Sequence, residues 1–369
     1  MKLVTFGHSL DSPCQPQGTD LDSPQTLVLV FGAPEFRAQP EALVTLRARF
    51  PQSVLVGCSS SGEILGEEIH DKSLAVAVAH FEKSTLRSAS TTVDGDSRKA
   101  ARELAEQLKG PGLKGVLVLS DGLNVSGSEL SRGFNEVLDG VVVTGGLAGD
   151  GDRFASTWVL EGSQPSSGRI VAVGFYGTDM LVGYGSRGGW DEFGLERQVT
   201  RAKGSVLYEL DGKKALALYK EYLGELASEL PASGLLFPLS LRRDVHDQQR
   251  FVRTILAVDE KAQSMTFAGE IPEGYLAQLM HANFDRLIDG AGEAANLARG
   301  GQLAIAISCV GRRLVLGQRA EEEVETAFES LPEGTQQVGF YSYGELSPQS
   351  DGKCALHNQT MTMTTLGER

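Results

Sequence analysis

The chain is poor in the features that would set it apart from ordinary globular proteins. It has only four cysteines in 369 residues, Cys14, Cys58, Cys309 and Cys354. They form no Cys-x-x-Cys pair and have no histidine at metal-ligand spacing. That argues against a disulfide scaffold or a structural zinc site and fits a reduced, cytoplasmic protein. No run approaches the ~18 consecutive apolar residues of a membrane span. Residues 1–8, MKLVTFGH, lack the apolar segment of a secretory signal. No long Lys/Arg cluster occurs, and a net charge of −14 disfavours nucleic acid and anionic membranes as partners. A Walker-type Gly-Lys-Ser/Thr loop is also missing. The Gly-x-Gly-x-x-Gly match at Gly183, Gly185 and Gly188 does not open a helix, so it reads as accidental.

Glycine, by contrast, is plentiful at 44 residues, placed at strand ends and turns rather than in low-complexity tracts. The hydrophobic fraction of 41% and charged fraction of 22% are those of a soluble globular chain. The length suits two domains of ~150 residues.

One pattern recurs three times after an apolar run: GCSSSGE (57–63), GGLAGD (145–150) and YSYGE (341–345). Each copy is a small or Gly-rich turn ending in Gly and a carboxylate. Upstream of each lies a strand and a helix. The first copy has TLVLVFG (26–32) and helical spacing over 38–50; the second has GVLVL (115–119) and a helix over 127–138 capped by Ser126 or Ser128; the third has LAIAISC (303–309) and an acidic helix over 321–330. The strand-to-acid distances are 33 residues from Val30 to Glu63, 31 from Leu119 to Asp150 and 37 from Ser308 to Glu345. Near-equal spacing predicts duplicated strand–helix–strand modules with following hairpins. The expected fold class is therefore α/β, two halves with mixed sheets. Residues 170–175 with 180–185, and 253–258 with 264–268, read as hairpins. Residues 205–228 and 274–298 read as helices, 355–366 as one final strand, and 186–204 as the domain boundary.

GCSSSGEI (57–64), GGLAGDG (145–151), SCVGRRLVLG (308–317), GFYSYGEL (339–346) and LHNQTMTMTTL (356–366) together resemble the FIST sensory proteins. YELDGKKALALYKEYL (208–223) and MHANFDRLIDGA (280–291) resemble the C-terminal half of that family. The resemblance implies an N-terminal extension over 1–24, a FIST N-terminal-type domain over 25–195 and a FIST C-terminal-type domain over 196–369. It implies a bacterial or archaeal signal-input module that binds a small ligand and is not an enzyme. Some members bind haem, respond to nitric oxide, and control a partner histidine kinase or cyclic-di-GMP enzyme. No kinase, cyclase or DNA-binding segment is recognisable after the last motif, so output in trans is expected.

Candidate ligand-binding residues follow from the turns: Cys58, Ser59, Gly62, Glu63, Gly146, Gly149, Asp150, Tyr343 and Glu345, with Gly344 offering a further N–H. The same acids could instead cap helices or bond loop amides. Arg312 and Arg313 have the forked geometry for a ligand carboxylate, from an amino acid, a small organic acid or a haem propionate. Alternatively they could pair with Glu63, Asp150 or Glu345. His357 and Asn358 stand at the head of the last strand. For a haem, the candidate axial ligands are His281, read as helical beside Met280, Phe284 and Leu287, together with His357 and His246. The competing reading is a small-molecule hydrolase or transferase using Cys58 or the Gly-acid loops. No Gly-x-Ser-x-Gly elbow or neighbouring histidine supports it.

Overall fold

The computed structural model describes residues 1–369. Its framework is three modules of one design. The first runs β1 (Lys2–Ser9), β2 (Thr26–Gly32), α1 (Glu41–Arg49), β3 (Val54–Ser59), the short hairpin β4 (Glu63–Leu65) and β5 (Glu68–His70), and β6 (Ser73–His80). The second runs β7 (Thr85–Thr92), α2 (Ser97–Leu108), β8 (Leu113–Ser120), α3 (Gly127–Val137), β9 (Val142–Leu147), the hairpin β10 (Val159–Glu161) and β11 (Gln164–Ser166), and β12 (Arg169–Tyr176).

The third opens with β13 (Met180–Arg187) and is then interrupted. The interruption comprises β14 (Asp191–Lys203), β15 (Val206–Leu210), β16 (Lys213–Lys214), α4 (Ala215–Leu223), β17 (Leu239–Arg242), β18 (Phe251–Arg253), β19 (Ile255–Asp259), β20 (Ser264–Phe267) and β21 (Leu276–His281). The module resumes with α5 (Phe284–Leu297), β22 (Leu303–Cys309), α6 (Val310–Leu316), α7 (Ala320–Glu329), β23 (Gln336–Ser342), β24 (Gly344–Pro348), β25 (Cys354–His357) and β26 (Met361–Glu368). The sheets are mixed and the fold is α/β, as the repeat implied.

The three modules exchange strands in a closed cycle. Each six-stranded sheet has one parallel pair, β2–β3, β8–β9 or β22–β23, flanked by its own antiparallel strands. Its far edge is completed by a hairpin from another module. The β4–β5 hairpin joins the third sheet, β10–β11 the first, and β24–β25 the second. Each Gly-acid turn is thus the point where the chain leaves its own sheet for a neighbour's.

Both faces of these sheets are buried, so their strands read as continuous apolar runs rather than alternating ones. Leu27, Leu29 and Phe31 point into a common core with Leu117, Leu119, Ile305, Ile307 and Phe340. There Phe31 stacks on Phe340 at 4.7 Å between ring centres. Val28 and Val30 point outward under α1, while Val116 and Val118 lie under α2 and α3. Ala304 and Ala306 lie under α5 and α7. One glycine per module permits the parallel pair to close. A Cβ on Gly57, Gly145 or Gly339 would lie 2.0, 1.8 or 1.9 Å from the carbonyl oxygen of Val30, Val118 or Ala306, and those residues are its register partners.

The inserted domain builds its own eight-stranded sheet and its own core, with Leu207, Leu216, Tyr219, Leu241, Phe267 and Leu279 buried together. Its two ends meet where Asp191 pairs with His281. It is tied to the ring by an ion pair between Arg132 on α3 and Glu270, and by the Arg253 guanidinium donating to the Leu356 carbonyl at 3.2 Å.

Several sequence expectations are corrected. Residues 170–175 and 180–185 are not a hairpin, because β12 and β13 belong to different sheets. The stretch 205–228 begins as strand β15, and Asp211 and Gly212, with φ of 51° and 73°, turn the chain before the short α4. Within 274–298, strand β21 precedes α5, so His281 ends a strand instead of sitting on a helix. The final segment 355–366 splits into β25 and β26, in two sheets. Within residues 1–24, β1 is an integral strand paired along its length with β6. No helix is long and apolar enough to cross a membrane.

Candidate functional site

The three Gly-acid turns converge. Ser61 N–H donates to Tyr341 O at 2.8 Å and Tyr341 N–H to Gly62 O at 2.9 Å, lacing the first turn to the third. Gly149 N–H donates to Ser59 O at 3.0 Å, and Tyr343 N–H to Leu147 O at 3.1 Å. The remaining two pairs of turns are joined in that way. Gly149 is required because a Cβ there would lie 2.2 Å from Ser61 Oγ. A Cβ on Gly146 would meet the Ile307 and Phe340 side chains less closely, at 2.9 and 3.1 Å.

Convergence does not leave the acids free. Glu63 accepts from Ser60 Oγ and, at 3.0 and 2.8 Å, from the N–H and Oγ of Ser73. Glu345 accepts from Ser342 Oγ at 2.7 Å and from the N–H and Oγ1 of Thr360 at 3.3 and 2.8 Å. Asp150 accepts from Ala155 and Ser156 N–H at 2.9 and 2.7 Å and from the Tyr343 hydroxyl. All three are buried. Burial pushes the Glu63 carboxyl up to about 7 and that of Glu345 up to about 8, against the lowering effect of their hydrogen bonds.

The arginines are engaged as well, with partners other than the three acids. Arg312 is fully buried and donates to Glu323 at 2.5 Å, to the Leu287 carbonyl at 2.6 Å and to the Gly188 carbonyl. Arg313 bonds Asp71 through both terminal nitrogens at 2.9 and 2.8 Å and caps Ser61 O at 2.6 Å. Neither guanidinium is left for a ligand carboxylate. Cys58 lies in the central core, where burial raises its thiol well above the ordinary value, and no base stands beside it. Its neighbour Ser59 accepts the Trp158 N–H at 3.0 Å.

Open space lies elsewhere, between the ring and the inserted domain. An inner chamber of about 290 Å³ is bounded on the ring side by Tyr343, Asn358 and Cys309, and on the other by Leu235, Thr254 and Leu256. An outer chamber of about 630 Å³ adjoins it, lined by the first turn of α3 and by Gly204, Phe267 and Glu270. Phe154, Leu256, Ala268 and Tyr343 line both chambers. Phe154 holds an unusual position, with φ of 48° and its ring stacked on Tyr343 at 4.4 Å. A left-handed backbone at a bulky residue is strained, and the surrounding loop must hold it. Asp150 does so by binding the next two N–H groups, and the Tyr343 hydroxyl accepts the Phe154 N–H at 3.2 Å.

Of the residues singled out from sequence, Tyr343 and Asn358 reach this cleft and Asp150 stands directly behind Tyr343. Glu63, Glu345 and the two arginines do not line it. The cleft's other walls went unread: Phe154, Cys309, Thr254 and Leu235. Cys309 lies within the SCVGRR motif, so a signal was present, whereas the inserted loops carry none.

The candidate axial histidines His246, His281 and His357 lie outside the cleft. His246 is exposed, and His281 packs edge-on to Phe193 with Nδ1 3.4 Å from the adjacent Ala282 carbonyl. His357 is neutral, pushed down to about 4 by burial, and its Nε2 is engaged by the Ser347 carbonyl at 3.0 Å. It borders a separate cavity of about 390 Å³ whose walls are largely polar, among them Arg187, Gln249, Arg250 and Ser350. A macrocycle needs apolar faces and an open axial donor. These residues supply neither together.

Residues 26–213 match the FIST N domain and residues 215–348 the FIST C domain. The chain belongs to the FIST family, whose domains are sensory modules of signal transduction. It is also similar to an uncharacterized protein of Methanocaldococcus jannaschii, at 25% identity over 199 residues, covering 49% of this chain and 37% of that protein. The chain thus spans well under half the length of that relative.

Proposed function

We propose that this protein is a ligand-responsive signalling module whose ligand binds in the cleft between the ring and the inserted domain, and whose state is read by a partner protein. One observation carries the reading: the same two chambers are walled by both bodies. A ligand touching both binds one relative arrangement better than another, and only such differential binding can transmit a signal. The chamber sizes also suit small molecules. A histidine kinase or cyclic-di-GMP enzyme is the partner class to which this reading assigns the output. Enzymatic use of Cys58 is not favoured, because its thiol faces the core.

The test is a thermal-shift screen of small metabolites against the wild type and Ala268→Trp, which places an indole where the two chambers meet. Ligands of the cleft raise the wild-type melting temperature and lose that effect in the variant. Hits that stabilise both proteins equally would place the site elsewhere. A hit should also slow hydrogen exchange in residues 150–156 and 231–236, on the two sides of the cleft.

A further inference from the structure

The inner chamber carries more specific information than its location. Two buried polar atoms in its wall have no partner: Asn358 Oδ1 on the ring and Thr254 Oγ1 on the inserted domain. Asn358 is 1% exposed and Thr254 4%. The orientation of the Asn358 amide is set by its Nδ2, which donates to the His357 carbonyl at 3.0 Å. Turned over, the amide would place its oxygen against that carbonyl, so the atom left without a partner is an acceptor. Buried polar groups are almost always hydrogen-bonded, and an orphan acceptor in a cavity points to a donor supplied from outside the chain.

The rest of the wall says what kind of molecule brings that donor. The chamber is mostly apolar, with Ile255, Leu235, Val310 and Leu314 among its sides, and no lysine, arginine or histidine lines it. Its one charged group is Asp152, which is exposed. An anion would enter past that carboxylate and find no counter-charge. An ammonium group at Asn358 would be buried against a neutral amide, and the one carboxylate of the wall, Asp152, is exposed and screened by solvent. At ~30 Å³ per water-sized group the space holds on the order of ten non-hydrogen atoms.

We infer that the inner chamber selects a compact, uncharged, largely apolar ligand that donates an N–H or O–H to Asn358 Oδ1, with Thr254 Oγ1 as the second polar contact. This rests on the cleft reading and narrows it to one chemical class.

Three probes of nearly one shape separate the classes: isobutyramide, isobutyrate and isobutylamine, titrated by ligand-observed NMR into the intact protein. Isobutyramide is expected to bind at least about tenfold tighter than the other two, because isobutyrate has no donor for Asn358 Oδ1 and the isobutylammonium charge would be desolvated against a neutral amide. Asn358→Leu removes the preference. Should that variant fail to fold, Thr254→Val, which keeps the side-chain shape, is expected to weaken isobutyramide at least about threefold. Tighter binding of isobutyrate or isobutylamine, lost in Ala268→Trp, would overturn the assigned class while leaving the cleft as the site. Equal binding to wild type and Ala268→Trp would overturn the cleft reading itself. Absence of binding by every probe at its solubility limit would overturn this inference alone.

Discussion

Glu63 and Glu345 occupy the same place in two modules and are held by the same set of bonds. Each accepts from the serine three residues before it, Ser60 or Ser342. Each also accepts both the N–H and the hydroxyl of one residue where the module's last strand begins, Ser73 or Thr360. The carboxylate fastens the departing hairpin to the returning strand, which is a structural duty.

That duty has a pH signature. Burial keeps both carboxyls protonated to about 7 for Glu63 and about 8 for Glu345, far above the ordinary ~4.3. The folded state then binds more protons than the unfolded state between ~4.3 and those values. Stability is greatest below ~4.3 as far as these groups go, and it is lost as pH rises towards about 8. His357, pushed down to about 4, acts oppositely but only below ~6.5. Melting temperatures between pH 6.5 and 8.5 should therefore fall, and Glu345→Gln should flatten that slope. An unchanged slope in the variant would refute the assignment.

The adjacent arginines should behave very differently. Arg312 and Glu323 are both fully buried, and Glu323 also accepts from Tyr341 and Ser308. Removing one partner leaves the other charge uncompensated, so Glu323→Gln should destabilise by about 3–5 kcal/mol in urea unfolding. Arg313 pairs with Asp71, whose side chain is 67% exposed. Asp71→Asn should cost ~1 kcal/mol or less.

Gly339→Ala should be poorly tolerated although it adds one methyl group. The new Cβ would sit 1.9 Å from the Ala306 carbonyl oxygen, and the parallel pair must separate to admit it. Destabilisation of about 1–3 kcal/mol or more is expected, with Gly57→Ala and Gly145→Ala behaving alike. Denaturant midpoints of the three variants check the equivalence directly.

Tyr343→Phe removes the hydroxyl that joins Asp150, the Gly151 carbonyl at 2.9 Å and the Phe154 N–H. The buried Asp150 then loses one of its donors, at a cost of about 1–3 kcal/mol. The loop over 150–156 should become the first site of limited proteolysis, while the core retains its exchange protection.

Added haem should leave no shifted Soret band with the recombinant protein, since none of His246, His281 and His357 lines the cleft. A shifted band lost in His357→Ala would contradict that expectation.

Much of the ring was legible in the sequence. The unbroken apolar runs at 26–32, 115–119 and 303–309 announced strands buried on both faces, and the Gly-acid turns marked their partners' ends. Gly339 was also in view, six residues before Glu345 as Gly57 is before Glu63, yet the third copy was aligned from Tyr341. The strand exchange was not legible. Residues 170–185 look like a hairpin because local pattern carries no information about which sheet a strand joins. The cleft was hidden for a related reason. Tyr343 and Asn358 could be picked out, but their opposite wall comes from Thr254 and Leu235, in an insertion whose short apolar runs fit strand and helix equally well.

The cyclic exchange of hairpins makes the chain's starting point arbitrary with respect to the ring. The Met1 ammonium lies 3.5 Å from the Glu368 carboxylate, and that same carboxylate accepts the N–H groups of Glu82, Lys83 and Ser84, where the first module passes into the second. The seam between residues 369 and 1 therefore adjoins the seam between the first and second modules. A circular permutant, joined across 369 and 1 by a short linker and opened near residue 82, would keep every strand pair. No single module, by contrast, can be excised with a complete sheet, because each borrows its outer hairpin from another.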